Sequence, residues 1–377
     1  MAILAVMFHH YLSRYAPPDH SPSLYGYRHS YPQWLDLGTM GVQFFFIISG
    51  FVIFMTLQRC RHLFEFWIRR LARLYPAYLA ATLLTFCIVN LIGPAELHSR
   101  PADIAAGLSF LTPYISGTRF VDGSYWSLVV EMQFYFIIGI VYTYCRGRFE
   151  LVWALYGFAG AALWSLGAAD DLHLLRTVSR HLLLAESVPY FTAGIVFYKL
   201  YNREPRGWWL LALSAVAAYL AVEPQFANPP DLAPWRPIVT LAMLVLFTLF
   251  VFRRLQWLAV RPLVFLGGIS YSFYLLHQFI GVSLIPIFTR RLHMPDLLAC
   301  LAAILVSGTL SFGLTRLVEI PAKAAALRWA RERIFPRLAA RLAGFSFRNP
   351  AHAAAYSPGA AAAANAAGAG SGEGGGS

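Results

Sequence analysis

Three polar features interrupt otherwise apolar runs: the pair His9-His10, Glu131 and His277. An ionised side chain at the centre of a bilayer costs ~2.5–3.5 kcal/mol on insertion scales, so such residues mark function by default. A histidine titrates near neutrality and can take a proton from a hydroxyl. Glu131, in SYWSLVVEMQFYFI, must face a partner, water or a cavity. It can serve as the partner of a histidine, or it can tie two helices together. Adjacent residues on a helix point about 100° apart, so at most one of His9 and His10 faces the same cavity as Glu131. His277, in YSFYLLHQF, lies near the end of an apolar run, where an interfacial contact explains it as well as a site does.

A cationic cluster follows the run that begins at Gly38. The stretch RCRHLFEFWIRRLAR carries Arg59, Arg61, Arg69, Arg70 and Arg73. Guanidinium forks match phosphate geometry. Cytoplasmic loops of membrane proteins are also rich in arginine, so topology alone accounts for the cluster equally well. Ser49-Gly50 has no base beside it in sequence, and Gly50 reads as a helix-packing glycine rather than the mark of a nucleophile. The sequence has no GxSxG, Walker loop or zinc-ligand spacing, and no GxGxxG outside the Gly-rich tail. Cys60, Cys87, Cys145 and Cys300 lie in or beside apolar runs without a CxxC pair, and read as small buried hydrophobes.

The elements that must hold these groups are membrane helices. Of 377 residues, 58% are hydrophobic and only 13% charged, against about 25% charged in a soluble domain. So few charges cannot cover a water-facing surface. The net charge of +12 sits in short gaps between apolar runs, which argues for cytoplasmic loops and against nucleic-acid binding. The first run, MAILAVMFHHYL, is shorter than the ~20 residues a span needs and lacks the basic start and cleavage site of a signal peptide. Further spans are expected near 38–57, 75–92, 125–144, 151–168, 183–201, 207–223, 237–252, 262–288 and 297–316. The fold class is therefore all-α: a polytopic membrane helix bundle of about ten transmembrane helices.

Loop charge sets direction. Residues 59–73, Arg146 and Arg148, Arg203 and Arg206, Arg253 and Arg254, and the tail after Arg316 are basic. Ten alternating helices put these on one side, with both termini in the cytoplasm. Arg176, Arg180, Arg290 and Arg291 run against that pattern. Residues 1–320 form the membrane domain. Residues 321–348 read as a basic amphipathic helix on the inner membrane surface, and 349–377 as a disordered Ala/Gly/Ser-rich tail.

Taken together, the motifs resemble the acyltransferase-3 family of integral membrane O-acyltransferases, which modify cell-surface sugars. LAVMFHH is similar to the family's first-helix motif, with His10 the better match and His9 one residue off. GVQFFFIISGF resembles G-V-x-x-F-F-x-x-S-G-F, and FWIRRLARLYP resembles R-R-x-x-R-x-x-P. YWSLVVEMQFY, LGGISYSFYLLH and VEIP resemble W-S-L-x-x-E-x-x-F-Y, L-G-x-I-S-Y-x-x-Y-L-x-H and V-E-x-P. Six motifs in the family's order span about residues 3 to 322. The family's arginine, about ten residues before the first-helix histidine, would precede Met1.

The resemblance implies an acyl-CoA donor, commonly acetyl-CoA, with no permanently bound cofactor and no metal. The acceptor would be a carbohydrate or lipid-linked glycan hydroxyl, and the location a bacterial inner membrane. His10, with His9 as the alternative, would be the general base, and Glu131 would orient it. Arg70 and Arg73, supported by Arg69, would hold the coenzyme A phosphates. Ser49, Trp126 and His277 would line the site. A proton-coupled carrier is the rival reading, since buried His and Glu suit it too.

Overall fold

The computed structural model describes residues 2–15, 23–60, 62–169, 172–204, 206–223 and 232–337. Among them every regular element is helical. Helix α1 (Ala2–Phe8) continues into a π-helical turn, His9–Ser13, and a 3₁₀ segment, Gln33–Met40, leads into α2 (Gly41–Arg59). Then come α3 (Leu63–Ile92), α4 (Pro101–Leu108), α5 (Trp126–Tyr144), α6 (Phe149–Ala169) and α7 (His173–His181). They are followed by α8 (Val188–Tyr201), α9 (Trp208–Val222), α10 (Trp235–Val251), α11 (Arg261–Leu276), α12 (Gln278–Pro286), α13 (Asp296–Leu314) and α14 (Ile320–Trp329).

Five helical stretches among the described residues are long and apolar enough to cross a membrane: 33–59, 63–92, 123–144, 146–167 and 296–337. A sixth counts if the bent pair α11 and α12 is one span. Large apolar side chains face outward; Leu91 is 84% exposed and Leu305 70%. Patches of this kind need lipid or protein against them, and the chain is a membrane protein.

Inward faces follow helical periodicity. On α3 the buried side chains include Phe66, Arg70, Leu74, Tyr78, Ala81, Thr85 and Val89, a stripe at three- and four-residue steps. Helix α2 packs tightly on α8, and α6 on α9. Two glycines allow the first contact. A Cβ on Gly50 would lie 2.1 Å from the Phe191 carbonyl oxygen, and one on Gly194 2.1 Å from that of Ile47. Close approach of small residues is what lets helices associate in lipid, so Gly50 is a packing residue.

Several expectations from sequence change. Leu63–Arg73, read from its charge as a loop, is the first part of α3, which runs through Pro76. The spacing of Arg69, Arg70 and Arg73 fits a helix, and charge alone does not separate a loop from a helical extension. The 262–288 run is not one span but two helices meeting at 71°. The polar stretches 94–124 and 169–182 hold the short helices α4 and α7. The basic stretch after Glu319 is helical and runs on from the last span as far as Arg337, without altering the expected helix there; residues 338–348 and the 349–377 tail lie outside the described residues. Cys60 and Cys300 are buried as expected, but Cys145 is half-buried and Cys87 exposed.

Candidate functional site

A cavity of about 220 Å³ lies between α2, α3, α5 and α11. Ser49, Arg70, Arg73, Glu131, Tyr135 and Tyr274 are the polar side chains that matter most in its lining. Glu131 Oε1 accepts hydrogen bonds from Ser49 Oγ at 2.8 Å and Tyr135 Oη at 2.6 Å. The Arg70 guanidinium lies 5.5 Å from the Tyr135 ring centroid and 5.9 Å from that of Phe66. It donates to the Val52 carbonyl at 2.9 Å and to Thr56 Oγ1, while its buried Nε has no partner. Arg70, Tyr135, Glu131 and Ser49 are thus successive neighbours along the cavity wall. The site offers fixed cationic donors near a carboxylate, in a space of low dielectric where charge recognition is strong.

Beyond Tyr274 lies a cluster of three imidazoles. The His9 and His10 ring centroids are 5.0 Å apart, and those of His10 and His277 5.3 Å. His9 Nδ1 lies 2.8 Å from Asp36 Oδ1. A carboxylate only accepts, so Nδ1 carries the proton and the lone pair of neutral His9 sits on Nε2. His277 Nδ1 likewise donates to the Tyr274 carbonyl oxygen at 2.8 Å. His9 Nε2, His10 Nδ1 and His277 Nε2 are all buried without a hydrogen-bond partner. Leaving a buried acceptor unpaired costs about 1–3 kcal/mol. Three such atoms in one cluster leave it able to bond an incoming polar group.

His277 reaches this cluster because the helix breaks beside it. A break inside a bilayer frees backbone groups that must be satisfied by protein. The 3₁₀ turn Gly123–Tyr125 and the residue before it do so. Asp122 Oδ2 accepts from the Phe279 N–H at 2.8 Å, near the start of α12. Ser124 Oγ donates to the Tyr274 carbonyl at 3.2 Å and Tyr125 Oη to that of Leu275 at 3.1 Å. Tyr11 Oη donates to the His277 carbonyl at 2.5 Å, against Gly281, where a Cβ would lie 2.0 Å from that hydroxyl.

The residues singled out from sequence fall into two groups. Ser49, Glu131, Arg70 and Arg73 meet at the cavity; His9, His10 and His277 meet in the cluster. Glu131 was expected to orient His10, but among the described residues its hydrogen bonds run to Ser49 and Tyr135 instead. The carboxylate on a first-helix histidine is that of Asp36, and the histidine is His9. Arg69 does not line the cavity: it pairs with Glu65 at 2.6 Å, and its guanidinium lies over the Phe335 ring. Trp126 is 40% exposed and is not in the cavity lining; its ring makes a T-shaped contact with that of Phe46, which is. Sequence reasoning missed Asp36, Tyr274 and Asp122. Asp36 stands in a polar stretch, and nothing in one dimension ties it to a residue 27 positions earlier.

An all-helical membrane protein with an internal cavity of this polarity fits few classes, and comparison with known sequences names the class. A family model described as an acyltransferase domain matches residues 1–315, and the chain belongs to that family, acyltransferase-3. O-acetyltransferase OatA of Staphylococcus aureus (strain NCTC 8325 / PS 47) is 29% identical over 192 residues, which is 44% of this chain and 32% of that protein. OatA of strain N315 gives the same figures. The chain therefore spans about a third of the length of these relatives. No solved structure matches it.

Proposed function

We propose that this protein moves an acyl group, in the first instance acetyl, from acyl-CoA to a hydroxyl of a sugar or lipid-linked glycan. It works in a bacterial inner membrane with both termini in the cytoplasm. Ten spans are reached if α1, α8, α9 and α10 cross together with the five long helices and the bent pair. On that topology Arg70 and Arg73 lie toward the cytoplasm, where acyl-CoA is made, and the histidines toward the opposite face.

The observation that carries this reading is the continuity of the two groups through Tyr274. Its side chain lines the cavity that holds Arg70 and Arg73, and its carbonyl is bonded to His277. A donor whose phosphates sit on the arginines would extend its acyl end toward the histidines. His10, between His9 and His277, would take the proton of the acceptor hydroxyl as that oxygen attacks the thioester carbon. The carbon–sulfur bond then breaks, and the proton passes to the leaving thiolate. Glu131 would keep the cavity wall in place through Ser49 and Tyr135, its own charge facing the path of the donor.

The bent pair α11–α12 gives the carrier reading one supporting feature, because discontinuous helices also line transport sites. Both readings meet the same experiment. Membranes containing the protein, given labelled acetyl-CoA, release coenzyme A and acquire label; His10→Ala at matched expression loses this by ~10²–10⁴-fold. Wild-type membranes that release no coenzyme A from any acyl-CoA tried would sink the acyltransferase reading.

A further inference from the structure

We infer that Asp36 is the positioning carboxylate of this site, holding His9 so that the His9–His10 pair takes up the acceptor's proton. The inference rests on the acyltransferase reading above and deepens it.

The contact is built rather than incidental. Asp36 Oδ1 receives both His9 Nδ1, at 2.8 Å, and Ser13 Oγ, at 2.5 Å. The two side chains are 7% and 18% exposed. The 3₁₀ segment that carries Asp36 lies against α1 because two glycines face it. A Cβ on Gly38 would lie 2.2 Å from the Ala5 carbonyl oxygen and 3.1 Å from His9 Cβ, and one on Gly41 2.7 Å from the Ala2 carbonyl oxygen. Thr39 Oγ1 further pins the segment by donating to the Asp36 carbonyl at 2.8 Å.

The chemistry follows from the donors. With Nδ1–H committed to Asp36, His9 can accept a proton only at Nε2, which is buried and unpaired beside His10. The acceptor's O–H bond breaks as its oxygen bonds to the acyl carbon, and the proton goes to the imidazole pair. The resulting positive charge is shared across His10 and His9 and is stabilised by the Asp36 carboxylate, as a carboxylate does for a catalytic imidazolium. The carbon–sulfur bond then breaks, the proton passes to the leaving coenzyme A sulfur, and Asp36 ends the cycle unchanged. The titratable groups facing His9 are His10 and Arg14 on its own segment, Asp36, Tyr25 through its bond to the His10 carbonyl, and His277 with Asp122 behind it at the break. Asp36 is the carboxylate in direct contact with the ring.

The test is coenzyme A release from acetyl-CoA by membranes carrying the full chain, followed against pH. Asp36→Asn should lower kcat by roughly 10²-fold and leave KM for acetyl-CoA unchanged. The acid limb of its pH profile should move to lower pH, because the imidazole pair loses the charge that helps it keep its proton. His9→Gln should give a similar loss, and the double variant no further loss, since the two act as one unit. Asp36→Asn with wild-type kcat and an unmoved acid limb overturns the inference while leaving the acyltransferase reading intact. Wild-type membranes that turn over no acyl-CoA overturn both. If Asp36→Asn fails to reach the membrane, Ser13→Ala decides: losing one donor strengthens the carboxylate's hold on His9, so the acid limb moves to higher pH, and an unmoved limb rejects the role of Asp36.

Discussion

Tyr274 and His277 join the two halves of the site: His277 Nδ1 donates to the Tyr274 carbonyl oxygen at 2.8 Å, and the rings are 5.5 Å apart. The same tyrosine presents its side chain to the cavity and hydrogen-bonds Ser127 through its hydroxyl at 2.7 Å. A ligand that displaces this ring therefore acts on the residue that fixes the tautomer of His277. The helix break makes this geometry available, since an unbroken helix would have carried the Tyr274 carbonyl into its own ladder.

The arginines of the cluster should separate in kinetics. Arg73→Ala, which removes a charge from the cavity wall, should raise KM for acyl-CoA by about 10-fold or more, the worth of one charge-assisted hydrogen bond. Arg69→Ala should change it by roughly twofold or less, because Arg69 is paired with Glu65 and does not line the cavity. Steady-state assays at varied acetyl-CoA measure both, and equal effects would mean that the cavity is not where the phosphates sit.

Glu131 gives a second contrast. Glu131→Gln keeps an oxygen for Ser49 and Tyr135, so the protein should insert and melt close to wild type. Glu131→Ala leaves two hydroxyls without their acceptor and should lose about 1–3 kcal/mol. Thermal melting in detergent distinguishes them. Turnover retained by the Gln variant and lost by the Ala variant would assign Glu131 to holding the wall, whereas loss in both would assign it to the chemistry.

Packing of α2 on α8 predicts intolerance at one atom. In Gly194→Ala the new methyl would sit 2.1 Å from the Ile47 carbonyl oxygen and 2.7 Å from the Phe51 nitrogen. Both are backbone and cannot move aside, so a loss of at least ~1–3 kcal/mol is expected. Gly308→Ala, with its nearest neighbour at 3.6 Å, is the control and should melt near wild type.

Asp103 should make the segment between α3 and α5 sensitive to acid. Burial works to raise its pKa, but the N–H groups of Arg100, at 2.7 Å, and Arg119, at 3.0 Å, together with the Arg100 guanidinium, outweigh it and hold the carboxyl below its ordinary value. A depressed value in the folded state stabilises above about pH 4 and is lost as pH falls through the lowered value. Limited proteolysis of residues 93–122 should quicken on acidification below pH ~4, and Asp103→Ala should be cut as readily at pH 7. Because this segment ends in Asp122 and Ser124, which hold the helix break, the same variant should also lose turnover.

The sequence by itself determined the solvent and the class. Too few charges, apolar runs throughout, and six motifs in order fix an all-helical membrane protein of the acyltransferase-3 family, because lipid admits few other ways to satisfy a backbone. It also picked out most of the polar side chains that the fold brings to the cavity and the histidine cluster, since an ionisable group in an apolar run is costly wherever it sits. What it could not supply was their pairing. Asp36 and Glu131 are both carboxylates within reach of apolar runs, and only the approach of α1 to the Gln33–Met40 segment, allowed by Gly38, gives the first to His9. The break at His277 was equally invisible, because the groups that support it lie 150 to 157 positions away: Asp122, Ser124 and Tyr125 satisfy the freed backbone, and hydropathy along one run carries no record of a partner on another.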